Sequence, residues 1–455
     1  MRERSLTTIT SLCGSGSSRR AHGRSARGAQ IDSRLIGEGD LFFALEGSSC
    51  HGIDHLPEAF RRGAVAVFCE ARHLRQFEGA AIVVDDPVAA LGRLAAAIRK
   101  EESRDLPAIA VTGSHGKTTT CQFAGELLAA VVPTAIPRAS HNNHLGVPLT
   151  ILNAPPESEV LVCEVGSNAP GEVEPLGRWI APRSAVVTSI GPSHLAGFGD
   201  LDAVAREKFS LLTTIEEGGV AWVPVEVRGH LLAPEMETLT FGVDGDLELV
   251  REGETSWRLE DRKRRRRMPF TWQPTTTWAP RCLEAALAVA LEVIDAPEEM
   301  LAVCSSLSLP PLRGEVLSVE GVELVLDCYN ASPFTLNAAI TDLMSCHARR
   351  RFAVVGTMEE LGREEARWHF EAGEKLAEVG LDGIFLHGRG GPWLLEGIEA
   401  MGGTAELLDG DGGRASETVV DRLARGDRIL FKASRNEQLE LLASRVADGL
   451  REKGS

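Results

Sequence analysis

At 455 residues the chain has room for two to four domains, each with a core of its own. Its 43% hydrophobic and 25% charged residues are the proportions of a soluble globular protein. The formal net charge of −17 argues against general nucleic-acid binding, although a locally basic site on an acidic protein can still take an anionic substrate. The nine cysteines are dispersed and form no C-x-x-C pair, which fits a reducing cytoplasm better than a disulfide scaffold. No apolar run is long enough for a membrane span, and the basic N-terminus has too short and polar an apolar stretch for a secretory signal.

Residues 1–30 predict loose order between short elements, with Ser and Gly dominating 11–18. In 31–47 (IDSRLIGEGDLFFALEG) an extended segment is followed by a turn at 37–40 and the buried strand LFFAL. Residues 64–69 and 81–84 predict two more buried strands, with a helix at 55–62 before them. Residues 86–100 are amphipathic, with Val88, Leu91, Leu94, Ala95 and Ile98 on one face. A linker at 103–107 ends the first domain near residue 106.

The second segment opens on IAVTGSHGKTTTC (109–121). A short apolar strand, a glycine loop and a helix start form a phosphate cradle. Gly113 and Gly116 let backbone N–H groups approach phosphate oxygens, and the helix N-terminus adds partial positive charge. Lys117 is expected at the outer phosphates and the Thr118 hydroxyl at Mg²⁺. Val111 stands where the longer form of this motif begins with glycine, so this is the short T-G-x-x-G-K-T form, pointing to ATP or a similar nucleotide. The following helix carries Phe123, Leu127 and Leu128. Strand-like runs at 160–166 and 184–191 continue an α/β alternation around a mainly parallel sheet. Residues 220–275 predict a small β-rich excursion, 281–294 a helix, and the prolines at 310–311 a second boundary. The basic run RKRRRR (262–267) suits a solvated loop or strand end, with an anionic ligand or partner as the second reading.

Glu164 ends a buried strand in the same segment, where a carboxylate is costly unless it meets a cation. Mg²⁺ shared between Thr118, a phosphate and Glu164 would offset that cost. His194, after another buried strand, is a candidate to join them. Lys208, on a later helix, looks like an ordinary surface lysine from the sequence alone.

The third segment alternates strands (323–328, 351–356, 383–388, 428–434) with helices (333–344, 364–379, 393–401, 437–450). This is a doubly wound, Rossmann-like domain, and 327–330, 356–360 and 432–435 fall at the carboxyl ends of its strands, the usual ligand edge.

These residues together resemble one family, the ATP-dependent Mur ligases of peptidoglycan synthesis, over nearly the whole chain, with the MurF type as the best fit. The resemblance rests on DSR (32–34), GDLFFALEG (39–47), TGSHGKTTT (112–120), SHNNHLGVPLTIL (140–152), EVGSNAPGEV (164–173), SHLAGFGDLDAVAREK (193–208), PLRGE (311–315), DCYNASP (327–333), GTMEELG (356–362), His369 with Gly373, and KASR (432–435). It implies an α/β architecture of three domains: a UDP-substrate-binding domain at 1–106, a central P-loop ATPase domain at 107–311 and a Rossmann-like domain at 312–455. It implies a cytoplasmic, monomeric ligase that adds D-Ala-D-Ala to UDP-N-acetylmuramoyl-tripeptide through an acyl phosphate, with closure of the domains assembling the site.

The resemblance also distributes roles. Gly113, Ser114, His115, Gly116, Lys117, Thr118 and Thr119 would hold the nucleotide phosphates, joined by Arg313, Asp327, Tyr329 and Asn330. Ser33, Arg34, Asn142 and Asn143 would contact the UDP-linked muramoyl peptide, and Lys432, Ser434 and Arg435 would lie near the incoming dipeptide. Thr118, Glu164 and His194 would bind Mg²⁺; Lys117, His194 and Lys208 would be catalytic, with Lys208 carbamylated by CO₂.

One region departs from the pattern. Where the family's helix near residue 280 opens with G-R-H-N-x-x-N, this chain reads TTTWAPRCLEAA (275–286), so Pro280, Arg281 and Glu284 stand at the His and two Asn positions. Trp278 is the candidate to stack on the base instead. The turn after GGVAW (218–222) is replaced by VPVEV, and a family lysine is Glu46 here. These departures leave a second expectation: a diverged paralogue acting on another substrate, or a nucleotide-binding protein without ligase activity.

Overall fold

The computed structural model describes residues 1–455 apart from 15–16, 48–49, 103–105, 139, 192–194, 231–236, 409–411 and 455. The chain divides into two compact units: residues 1–189, 205–271 and 283–306 form one, and residues 190–204, 272–282 and 307–455 the other.

The first unit holds two larger sheets. The smaller, at the N-terminal end, has strand order Ser17–Arg19, Ala81–Val83, Ala66–Cys69, Asp40–Phe43, Gly28–Gln30, parallel except at Ser17–Arg19. Phe43 and Phe68 stack on adjacent strands with centroids 4.1 Å apart. The expected helix at 55–62 is Leu56–Arg62, preceded by a 3-10 turn and stopped by Gly63, whose φ of 114° only glycine adopts easily. Within 1–30 a helix forms at Leu6–Leu12, capped by the Ser5 side chain and burying Leu6 and Ile9. Its Thr- and Ser-rich sequence concealed it, because those residues favour caps over helix interiors.

The larger sheet runs Arg266–Thr271, Ser256–Asp261, Leu247–Arg251, Thr238–Phe241, Val220–Pro224, Ser184–Val187, Ala108–Thr112, Val160–Glu164, Thr134–Ala135. Pairing is parallel from Thr134–Ala135 to Leu247–Arg251 and antiparallel in the last two strands. The segment 220–275 is therefore no separate excursion; its strands extend the central sheet. The strands Ala108–Thr112, Val160–Glu164 and Ser184–Val187 are buried throughout, as parallel strands covered on both faces must be.

The basic run lies at the turn into Arg266–Thr271 and meets the protein's own carboxylates. Arg262 pairs with Glu248 (2.6 Å), Lys263 with Glu292 (3.2 Å), Arg264 with buried Asp261 (3.2 Å), and Arg266 with Asp295 (2.6 Å). These pairs favour the structural reading over an anionic partner.

The second unit is built on a six-stranded sheet, ordered Glu315–Val319, Val322–Leu326, Arg428–Lys432, Arg351–Val355, Gly383–Leu386, Glu406–Leu407. All pairs are parallel except the first, a hairpin. Alternation along the strands sorts its two cores. Phe352, Val354, Ile429 and Phe431 face helices Gly412–Arg422 and Leu439–Gly454. Ala353, Val355 and Leu430 face helices Pro333–Ser345, Glu365–Glu378 and Gly391–Ala400. The sequence reading missed the helix Gly412–Arg422, whose glycines and charges blur its period, and the short strand Glu315–Val319.

Candidate functional site

In the first unit the central strand Ala108–Thr112 has Val160–Glu164 on one side and Ser184–Val187 on the other, all parallel. Their carboxyl ends therefore lie at one edge, and Glu164 stands opposite Val111. The loop leaves this edge through Gly113 (φ 144°) and enters helix Lys117–Ala129 through Gly116 (φ 82°). A Cβ on Gly113 would sit 2.1 Å from the Thr188 Oγ1, so the position admits glycine only. The loop is anchored rather than loose. Ser114 N–H donates to the Ser189 carbonyl (2.9 Å) and His115 N–H to Ser189 Oγ (3.0 Å), while Thr188 Oγ1 donates to the His115 carbonyl. The Lys117 ammonium donates to the carbonyls of Gly113 (2.8 Å) and Ser114 (3.2 Å). Thr118 is half-buried on the first turn, and Thr119 is buried behind it.

Glu164 is 1% exposed. Its Oε1 accepts from Asn142 Nδ2 at 2.8 Å, whereas its buried Oε2 meets no hydrogen-bond partner among the described residues. A carboxylate oxygen buried in this way calls for a positive counterpart. Asn142 is fixed by its own backbone, whose carbonyl accepts from Gly166 N–H at 2.7 Å. Asn143 is exposed and turns its Oδ1 to the N–H groups of Leu145 (3.1 Å) and Gly146 (2.9 Å), starting helix Gly146–Leu152.

Lys208 is not a surface lysine. It is 1% exposed on helix Leu201–Ser210, and its Nζ donates to Ser167 Oγ at 2.6 Å. Burial, with the Lys117 charge nearby, pulls its pKa from 10.5 to about 7, against the opposing pull of Glu207 and Glu172. Ser167 and Glu207 are the residues the sequence reading missed. Nothing in their local pattern distinguishes them; only the fold brings Ser167 to Lys208 and the N–H groups of 171–173 to Glu207. His194 lies outside the described residues.

The second unit gathers the residues named from its strand ends. Lys432 and Asp327 form a buried ion pair at 2.8 Å, and the Lys432 Nζ also donates to the Asn330 carbonyl at 2.8 Å. Burial raises the Asp327 pKa, opposed by Lys432 and Arg313. Arg313 lies over the Tyr329 ring at 4.2 Å. Ser434 Oγ accepts from Glu359 N–H at 2.9 Å, and Arg435 pairs with Glu440. His369, wholly buried, accepts from Met358 N–H through Nε2 (2.9 Å) and meets the Glu365 carbonyl through Nδ1 (2.8 Å), so it braces the loop after Arg351–Val355.

The remaining sequence candidates take structural bonds. Ser33 Oγ donates to Glu58 (3.1 Å), and exposed Arg34 forks onto Asp32. Pro280 and Arg281 sit in the first turn of helix Ala279–Val293, after half-buried Trp278. Glu284, in the same helix, is buried and accepts from Leu249 N–H at 3.0 Å.

Residues 26–99 match the model of the Mur ligase family catalytic domain, 111–263 that of the Mur ligase middle domain, and 312–435 that of the Mur ligase glutamate ligase domain. A Bacillus subtilis protein named UDP-N-acetylmuramoyl-tripeptide–D-alanyl-D-alanine ligase is 30% identical over 429 residues, 91% of each chain. This chain belongs to the Mur ligase family. Within it, the chain resembles MurF from Acinetobacter baumannii, at a TM-score of 0.87 and 26% identity over 98% of this chain and 99% of that one. It also resembles the Thermotoga maritima MurF ligase solved in complex with ADP, at a TM-score of 0.78 and 28% identity over 94% and 99% of the two chains. Among the described residues of this Mur ligase no helix is long and apolar enough to cross a membrane.

Proposed function

We propose that this Mur ligase is an ATP-dependent amide ligase of the MurF type, joining D-Ala-D-Ala to UDP-N-acetylmuramoyl-tripeptide. In this reading residues 1–106 take the UDP-sugar, 107–311 the ATP and 312–455 the incoming dipeptide. The observation that carries it is the buried Glu164 carboxylate, one oxygen of which meets no partner among the described residues, at the strand edge that holds the phosphate loop.

Oxygen donors suit Mg²⁺: Glu164 offers an anionic oxygen and Thr118 a hydroxyl, with His194, outside the described residues, as the further proposed ligand. Mg²⁺ at this position would neutralise phosphate charge. The chain's own groups do the rest. Loop N–H groups cradle the phosphates, and the Lys117 ammonium exchanges its carbonyl partners for the outer phosphates. A carboxylate repels an attacking amine, so the γ-phosphoryl group is first transferred to the tripeptide carboxylate, giving an acyl phosphate with a good leaving group. The dipeptide amine attacks, and loss of phosphate and a proton leaves the amide, ADP and inorganic phosphate. Lys208, whose amine is half neutral near pH 7, is suited to add CO₂ and become an anionic carbamate.

The test is phosphate release from ATP with UDP-muramoyl-tripeptide, with and without D-Ala-D-Ala. Release that requires both substrates and disappears in Lys117→Ala is the expected outcome. ATP binding without turnover would instead identify a nucleotide-binding paralogue, and activity retained in Lys117→Ala would sink the role of the loop.

A further inference from the structure

Two adjacent side chains of helix Leu201–Ser210 hold the two ends of one turn. Lys208 Nζ donates to Ser167 Oγ at 2.6 Å. Glu207, buried at 6% exposure, accepts three backbone N–H groups: Gly171 (2.7 Å), Glu172 (2.9 Å) and Val173 (2.7 Å). Those N–H groups lead into helix Val173–Ile180, whose N-terminal partial charge a carboxylate complements. The far end of that helix is closed with the opposite sign. Buried Arg99 donates from Nε to the Ile180 carbonyl (2.7 Å) and from Nη2 to the Ala181 carbonyl (3.4 Å).

The helix between these charges has little room to move. A Cβ on Gly177 would stand 2.3 Å from Thr214 Oγ1, and one on Gly92 would stand 2.4 Å from the Trp179 ring. The turn 167–173 begins three residues after Glu164, whose strand is registered on the strand that feeds the phosphate loop. Glu207 is thus the tie that fixes this turn to the helix bearing Lys208.

We propose that Glu207 is a positioning residue, locking the turn 167–173 so that Ser167 holds the Lys208 amine in place. This rests on the reading of Lys208 as a working residue that carries a carbamate. A carboxylate is required because three N–H donors converge on two oxygens. A glutamine retains one acceptor oxygen and turns an NH₂ toward a donor, and an alanine satisfies none.

The experiment uses the full chain carrying Glu207→Gln, Glu207→Ala or Lys208→Ala. Each is assayed well below its melting temperature for kcat, KM for ATP, and the carbamate carbon resonance in ¹³C-bicarbonate. The expected result is a fall in kcat of about tenfold to about a hundredfold in Glu207→Ala, smaller in Glu207→Gln, with KM for ATP little changed. The carbamate signal falls in step. If Glu207→Ala does not fold, Glu207→Gln alone decides the matter by the same readouts. A lowered melting temperature with kcat and carbamate signal both intact would reduce Glu207 to a helix cap and overturn the proposal. Parental activity in Lys208→Ala would overturn the reading of Lys208, and this proposal with it. Loss in Lys208→Ala with unaffected Glu207 variants overturns the proposal alone.

Discussion

Replacing Lys208 by methionine, which keeps the unbranched stem and removes the amine, tests the buried lysine directly. The folded chain lowers the Lys208 pKa from 10.5 to about 7, chiefly by burial. At pH 7 about half of such amines are neutral, against about one in 3,000 for an ordinary lysine, a gain of about three orders of magnitude in the form that reacts with CO₂. The same shift has a stability consequence of definite sign. Between pH 7 and 10.5 the unfolded lysine is protonated and the folded one is neutral, so the unfolded state binds more protons and stability rises with pH. Below about pH 7 both states are protonated and the cost of the buried charge is complete and constant. In CO₂-free buffer, the unfolding free energy of the parent should therefore rise relative to Lys208→Met from pH 7 to pH 10. The limiting slope is about 1.4 kcal/mol per pH unit, measured by urea unfolding at a series of pH values. A difference that stays flat across that range would refute the argument, because it would mean that the folded lysine titrates as an exposed one does.

Glu164→Gln should raise the Mg²⁺ concentration needed for half-maximal phosphate release while leaving the melting temperature nearly unchanged, since Asn142 still finds an acceptor oxygen. Gly373→Ala should lower the denaturant midpoint, by about 1–3 kcal/mol of stability. The new Cβ would lie 2.2 Å from the Leu394 carbonyl, where helices Glu365–Glu378 and Gly391–Ala400 touch backbone to backbone. Asp427→Ala should cost about 1–3 kcal/mol in the same measurement, since Arg350, a third exposed, can turn to water while the Ala424 N–H loses its acceptor. It removes a buried carboxylate that accepts from Arg350 Nη2 (2.6 Å) and from Ala424 N–H (2.8 Å).

Much of the fold was legible because parallel strands buried on both faces leave continuous apolar runs. Val160–Glu164, Arg351–Val355 and Arg428–Lys432 lie within runs visible in the sequence, and Ala108–Thr112 extends the run seen at 109–111 by one residue at each end. What escaped were elements whose order comes from outside themselves. The helix Leu6–Leu12 is short and rich in hydroxyls, and the helix Gly412–Arg422 begins on two glycines. Neither would be stable alone, and tertiary packing decides both. The strands within 220–275 were visible, but nothing local said that Val220–Pro224 and Thr238–Phe241 would continue the central sheet.

The site divides along the same line. Gly113, Gly116 and Lys117 announce the loop's geometry locally, because a tight turn, an ammonium and a helix start are neighbours in the chain. Glu164 could be singled out as a buried carboxylate because an acid ending an apolar strand is costly wherever the strand goes. Lys208 could not. In AREKFSLL it has the look of a solvated face, yet it is buried, and the hydroxyl its amine meets is that of Ser167, forty-one residues upstream. A charged side chain on a helix reveals its role only through what covers it. This is why the glutamate beside it, equally plain in sequence, proves to hold three N–H groups. Glu284 shows the other side of the argument. It stands at a position where the pattern the chain resembles has an asparagine, yet its carboxylate accepts from Leu249 N–H and is buried against the strand Leu247–Arg251. The departure from the pattern therefore has a structural use of its own.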